Sequence, residues 1–264
     1  MSGATDRWSD LGVRLGSGAA MVAIGVGGIW AGGDAFHVLI ALICGLMVWE
    51  LVRMLAPGTR GLPLQLGGIA AVAVLIATYL PTLYAVPLLA AAVMVGLGQV
   101  KRLVAVYFVF TALVLLAGWG MAHVRDDLGF GWMVWLVLVV VITDVAGYFA
   151  GRMIGGPKFW PAVSPKKTWA GTSAGWIASA LVGVAFGAGS GAVGVLVLAS
   201  VFLSFASQLG DIAESAIKRK VGVKDSSSLI PGHGGLLDRF DGMLGAALAL
   251  LLLEVGFGFP WSVL

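Results

Sequence analysis

Charge is what this chain has least of. Only 11% of its 264 residues are Asp, Glu, Lys or Arg, against about 25% in ordinary globular proteins. That leaves too little polar surface to coat a water-soluble domain. Cysteine is nearly absent too: Cys44 stands alone in an apolar run, which excludes an intrachain disulfide and a cysteine-built zinc cluster. No Cys/His pattern argues for a soft metal. Period-two alternation is missing, which disfavours a membrane β-barrel. There is no internal repeat, no low-complexity linker and no room for a separate soluble domain.

What is present is hydrocarbon. Hydrophobic residues make up 59% of the chain, in runs near the ~20 residues that span a bilayer. Backbone polar groups in lipid are satisfied only by helices or closed barrels. The expected fold is therefore all-α, a polytopic integral membrane helical bundle of about nine transmembrane helices, forming one membrane domain over 1–264. Helices are expected near 16–31, 35–54, 65–81, 83–98, 102–122, 130–153, 170–188, 191–210 and 242–259. Residues 1–122 supply the N-terminal helices, and 123–264 supply those that carry the candidate site. The region 65–98, broken by Pro81 and Pro87, is the least regular, and the 40 glycines suit close helix packing. The first apolar segment reads as a retained span rather than a signal peptide.

The formal charge of +3 is read as loop bias rather than nucleic-acid binding. With nine spans, one side collects Arg7, Arg14, Arg53, Arg60, Lys101, Arg102, Arg152, Lys158, Lys166, Lys167, Lys218, Arg219, Lys220, Lys224 and Arg239. The other side keeps only Arg125. The positive side is the cytoplasm, so the N-terminus is cytoplasmic. The ten tryptophans suit interfacial belts.

Two segments on that side go beyond simple positive charge. In 144–171, Ser164-Pro165-Lys166-Lys167-Thr168-Trp169 sets two ammonium groups beside two hydroxyls at an expected helix start, a cradle for phosphate oxygens. The plainer reading is a cytoplasmic loop capped by Thr168. Asp144 lies within a span, where an ionisable group usually faces a cavity or the bundle interior; its plainer role is pairing with Arg152 or a lysine. The second segment runs from Ser204 to Asp241. Asp211, Glu214, Ser215 and Lys218 share one helical face. Asp238 and Asp241 are three apart, and with Asp211 they form a set of hard oxygen ligands suited to Mg²⁺. Lys218, Arg219, Lys220, Lys224 and Arg239 supply cations. Pro231-Gly232-His233-Gly234-Gly235 is a turn whose N–H groups suit an anion, and His233 reads equally as structural, as a phosphate contact or as a proton handler. Glu50 reads as a helix-end residue near Arg53, and Glu254 as a packing or lipid-interface residue. His37 and His123 have no assigned role.

The order Ser215, Lys218-Arg219, Lys224-Asp225, His233-Gly234-Gly235, Asp238-Arg239, Asp241 resembles the signature of phosphatidate cytidylyltransferases, also called CDP-diacylglycerol synthases. Asp144, Gly151-Arg152 and Ser164-Pro-Lys-Lys-Thr-Trp are similar too, so the resemblance covers the C-terminal half. Two departures stand out: Ala170 where members often carry Glu, and Ser227 where they often carry Gly. The resemblance implies transfer of the cytidylyl group of CTP to phosphatidate, giving CDP-diacylglycerol and pyrophosphate. It also implies Mg²⁺, with K⁺ as a second cation, a homodimer, and a metal pair at Asp211 and Asp238 with Asp241 and Asp144 as further ligands. On this reading Lys218, Arg219, Arg239 and His233 join the two aspartates in catalysis. Ser164, Lys166, Lys167, Thr168, Ser215, Lys224, Asp225, Gly234 and Gly235 bind substrate. No nucleic acid is involved, and the expected location is a bacterial inner membrane with the site facing the cytoplasm. The rivals are a CTP-dependent lipid kinase and a transporter for an anionic substrate. A CDP-alcohol phosphotransferase lacks support, because its Asp-x-x-Asp-Gly-x-x-Ala-Arg pattern is missing.

Overall fold

The computed structural model describes residues 3–259, with side chains from residue 12 onward; Arg7, counted above with the cytoplasmic charges, lies outside those side chains. Among the described residues there are nine α-helices: α1 (Gly3–Ala31), α2 (Gly33–Leu55), α3 (Leu62–Ala77), α4 (Thr82–Leu97), α5 (Val104–His123), α6 (Phe130–Met153), α7 (Trp169–Gly187), α8 (Val193–Val221) and α9 (Leu237–Phe257). A single π-helical turn, Val124–Leu128, follows α5. A short antiparallel hairpin, β1 (Lys158–Trp160) and β2 (Ser164–Thr168), joins α6 to α7. The chain is an all-α polytopic membrane protein.

Seven of these helices, not nine, are long and apolar enough to cross a membrane by the usual length. The exceptions are α3 and α4, with 16 residues each, which rise about 24 Å against a hydrocarbon core of about 30 Å. They are consecutive, so counting them as two crossings or as none leaves every later helix in the same orientation. The charge separation therefore survives the correction. The hydroxyl of Tyr79, in the α3–α4 turn, donates to Asp34 Oδ1 at 2.8 Å, in the first turn of α2. Despite its length, α3 thus reaches the level of the far end of α2. Pro81 does not break a span but stands at the N-cap of α4, and Pro87 sits inside that helix.

By internal packing the chain forms two compact units. The first holds residues through Leu115 together with Val221–Phe240; the second holds Leu116–Lys220 and the chain from Asp241. In the first, α2 and α3 meet backbone to backbone: a Cβ on Gly67 would lie 2.6 Å from the Gly45 carbonyl oxygen. Val48, Leu51, Val52, Leu66 and Val74 of these two helices are buried. In the second, Trp132 and Trp135 are core residues at 3% and 0% exposure, which removes these two from the expected interfacial belts. The Trp135 indole N–H donates to Ser200 Oγ at 3.0 Å, so its one polar atom is satisfied in the interior.

α8 runs eleven residues past its expected end at 210, to Val221. The reason is local: Ser215 Oγ donates to Asp211 Oδ1 at 3.4 Å, and the Lys218 ammonium pairs with Glu214. These i, i+4 links carry the helix through its polar segment. His123, given no role above, lies with Nδ1 2.6 Å from Asp127 Oδ2 and Nε2 2.9 Å from Glu254 Oε1. Glu254 is thus a histidine partner rather than a lipid-facing residue.

Candidate active site

The second unit contains a cavity of about 410 Å³ whose wall includes Asp144, Tyr148 and Arg152 of α6, Lys166 and Lys167 of β2, and Gln208 and Asp211 of α8. The hairpin creates one side of it. Gly155 and Gly156 take φ of 67° and 90°, a left-handed region that glycine enters without a Cβ penalty, and this turns the chain out of α6. β2 then occupies Ser164–Thr168, a strand the sequence did not suggest, and α7 begins at Trp169, beside its expected start at 170. Strand geometry places successive side chains on opposite faces. Lys166 is accordingly exposed, while the Lys167 ammonium lies 2.5 Å from Asp211 Oδ2.

Thr168 caps a helix, one of its two expected parts. It is buried, and its Oγ1 accepts from the Gly171 N–H at 3.2 Å, an N-cap for α7. Gly171 is tied to this site by contact rather than by φ: a Cβ there would lie 2.5 Å from the Gly147 carbonyl oxygen. We expect Thr168→Ala to lower stability by about 1 kcal/mol, read as a small drop in the thermal unfolding midpoint of detergent-solubilised protein. Substrate affinity should change less than it does on removing Lys167.

Three carboxylates gather in this unit. Asp144 of α6 interacts electrostatically with Lys167 and Asp211, and Asp241 of α9 with Asp211, Asp144 and Lys218. Asp241 Oδ1 accepts from the Gly242 N–H at 2.8 Å. Among the described residues no group of three His, Cys, Asp or Glu side chains closes to metal-ligand spacing. The set is therefore an acidic neighbourhood with one ion pair formed inside it. Arg152 donates to the Tyr148 hydroxyl at 2.9 Å, Ser164 begins β2, and Arg219 is exposed near the end of α8. Gln208, which sequence reasoning left without a role, is a brace. Its Nε2 donates to the Thr172 carbonyl at 3.2 Å and its Oε1 accepts from the Trp176 indole at 3.0 Å.

The remaining expected site residues lie in the first unit, on the segment 221–240. Its loop closes on itself. Asp238 Oδ2 accepts from the Gly235 N–H at 2.8 Å and from the N–H and hydroxyl of Ser226, both at 2.9 Å. Ile230 and Gly234 form a bridge, with Gly232 and Gly234 at φ of 75° and 87°. His233 Nδ1 is 2.9 Å from Ser17 Oγ of α1, and the Arg239 Nε–H donates to the His233 carbonyl at 2.9 Å. Lys224 and Asp225 are exposed on the loop. Asp211 and Asp238 thus belong to different units, each with its own local partners.

The residue that sequence reasoning missed outright is Glu50. It is no mere helix end: it is 0% exposed within α2 and accepts hydrogen bonds from the Ser227 hydroxyl and the Leu236 and Leu237 N–H groups of the 226–237 loop, with the Ser226 hydroxyl also 3.3 Å away. The signal was a carboxylate inside an otherwise apolar helix, masked by the nearby Arg53. That guanidinium instead stacks over Trp49, 4.6 Å from the ring centre.

Comparison with known proteins bears on the chemistry. The chain is 48% identical over 138 residues to a phosphatidate cytidylyltransferase of Brucella suis, covering 51% of each chain. It is 42% identical over 132 residues to one from Helicobacter pylori, covering 49% of each, and 42% identical over 123 residues to one from Staphylococcus haemolyticus, covering 46% of this chain and 47% of the relative. The aligned part spans about half the length of these relatives. The sequence profile described as the cytidylyltransferase family matches residues 12–255. That match takes in both the cavity of the second unit and the loop of the first, and the chain belongs to the cytidylyltransferase family.

Proposed function

We propose that this protein transfers the cytidylyl group of CTP to phosphatidate, giving CDP-diacylglycerol and pyrophosphate in phospholipid biosynthesis. The site would face the cytoplasm from a bacterial inner membrane, in a homodimer. The observation that carries the reading is the Lys167–Asp211 ion pair in a cavity bordered by Asp144, Lys166 and Arg152. The ammonium and the carboxylate satisfy each other in the structure. A triphosphate would take the carboxylate's place at Lys167, and the carboxylate would then be released to a cation that accompanies the nucleotide.

In the reaction, the lipid phosphate oxygen attacks the α-phosphorus of CTP, and the bond to the bridging oxygen of the leaving pyrophosphate breaks. Both reactants are anions, so positioning and charge compensation are the main tasks of the protein. Lys166, Lys167 and Arg152 oppose the phosphate charge at the cavity. Lys218, Arg219, Lys224 and Arg239 are the other cations available, with the turn of His233, Gly234 and Gly235 offering N–H groups. No strong general base is needed, because a phosphate monoester is already largely ionised near neutral pH. The acidic set fits a hard divalent ion in charge and donor chemistry. Mg²⁺ would be held by Asp211 with Asp241 and Asp144 as further donors, K⁺ would accompany it, and the two cations would neutralise charge on the departing pyrophosphate.

The test is purified protein with CTP and phosphatidate, with and without Mg²⁺, assayed for both products. Equimolar pyrophosphate and CDP-diacylglycerol, dependent on Mg²⁺ and lost in Asp238→Asn, is expected. Release of CDP would favour the lipid kinase instead, and flux into proteoliposomes without conversion would favour a transporter.

A further inference from the structure

We propose that Glu50 is a positioning residue whose buried carboxylate fixes the 224–239 loop and the start of α9. The catalytic consequence rests on the function proposed above; the anchoring does not. Glu50 lies on α2, some 180 residues away in sequence from the groups it binds. Oε1 accepts from the Ser227 hydroxyl at 2.6 Å and the Leu236 N–H at 2.9 Å; Oε2 accepts from the Leu237 N–H at 2.7 Å and lies 3.3 Å from the Ser226 hydroxyl.

An apolar residue would be the cheaper occupant of a wholly buried position on an apolar helix. A carboxylate there is tolerable because every donor named above comes from one loop, and two of them are the Leu236 amide just before α9 and the Leu237 amide that begins it, where a helix favours negative charge. The same carboxylate accounts for the second glycine of the His-Gly-Gly turn. A Cβ on Gly235 would lie 2.4 Å from Glu50 Oε1 and 2.1 Å from Ser226 Oγ, so a side chain there would expel the anchor. Ser226 also links Glu50 to Asp238, since its hydroxyl is 2.9 Å from Asp238 Oδ2. One hydroxyl proton serves one acceptor at a time, so a disturbance at Glu50 is passed to the Asp238 carboxylate. Ser227, where the resembling sequences often carry Gly, makes the shortest of these bonds and strengthens the anchor in this chain.

The experiment measures amide hydrogen exchange and pyrophosphate release on the full-length protein in lipid nanodiscs, for wild type, Glu50→Gln, Glu50→Asp and Ser227→Ala. The glutamine amide keeps the shape but turns an NH₂ group toward donors. In Glu50→Gln, exchange at Ser226, Gly235, Leu236 and Leu237 should rise about tenfold or more, with α6, α7 and α8 as protected as in wild type. Turnover should fall by about the same factor, and Glu50→Asp should recover part of both. Ser227→Ala should raise exchange over 227–237 by a smaller factor, and it keeps the test decisive if Glu50→Gln does not insert. Wild-type exchange over 226–237 in Glu50→Gln or, failing its insertion, in Ser227→Ala overturns the proposal. So does a loss of protection spread evenly into α6–α8 that Glu50→Asp does not reverse. Absence of pyrophosphate release from wild type would instead remove the assigned reaction, and the exchange data would still decide the anchor.

Discussion

On the function proposed above, Asp211→Asn should lower pyrophosphate release by about two to three orders of magnitude while the protein stays folded. The two halves of that expectation have different origins. The Lys167 and Asp211 side chains retain 24% and 32% of their exposure, and a partly exposed ion pair contributes only about 0–1 kcal/mol to stability. Removing the charge should therefore shift the unfolding midpoint by a few degrees at most. Turnover is another matter, because the carboxylate is asked to act where charge changes hands, and a neutral amide cannot compensate a cation. Lys167→Ala should also be severely impaired, through weaker binding of the triphosphate. If the two residues act as a unit, the double variant should be no slower than about the worse single one. Steady-state assays of the three proteins with CTP and phosphatidate, beside thermal unfolding of each, check this. Near-normal turnover by Asp211→Asn would remove that carboxylate from the site, and fully multiplicative losses would show two independent residues.

The second large effect concerns packing. α8 and α9 cross with their backbones in contact: a Cβ on Gly245 would lie 2.2 Å from the Ala206 carbonyl oxygen, and one on Gly210 would lie 2.3 Å from the Asp241 carbonyl oxygen. Neither obstacle is a side-chain tip that can rotate away, so the helices themselves must separate. Gly245→Ala should cost about 1–3 kcal/mol, and it should also reduce activity, since the crossing sets the distance from Asp241 to Asp211. Gly256→Ala, on the same helix, is the control. Nothing lies within 4 Å of its would-be Cβ, so the better helix former should be neutral or stabilising by up to about 1 kcal/mol. Thermal unfolding in one detergent ranks the three proteins, and equal midpoints for Gly245→Ala and Gly256→Ala would refute the close crossing.

Several features were legible from residue order because they depend on local or averaged properties. Scarce charge and long apolar runs required membrane helices, since nothing else satisfies the backbone in lipid. Lys and Arg marked one side by their spacing along the chain. The order of residues from Ser215 to Asp241 carried the resemblance to the cytidylyltransferase family, whose profile matches residues 12–255. Three-dimensional packing decided what no pattern in the chain encodes. Lys167 rather than Lys166 meets Asp211 because two residues adjacent in a strand point to opposite faces, and the strand itself was not visible to hydropathy. Glu50 passed for a helix end because its partners, Ser226 to Leu237, lie almost the whole chain away. A buried carboxylate is intelligible only through the donors around it, and the fold alone brings those donors to it.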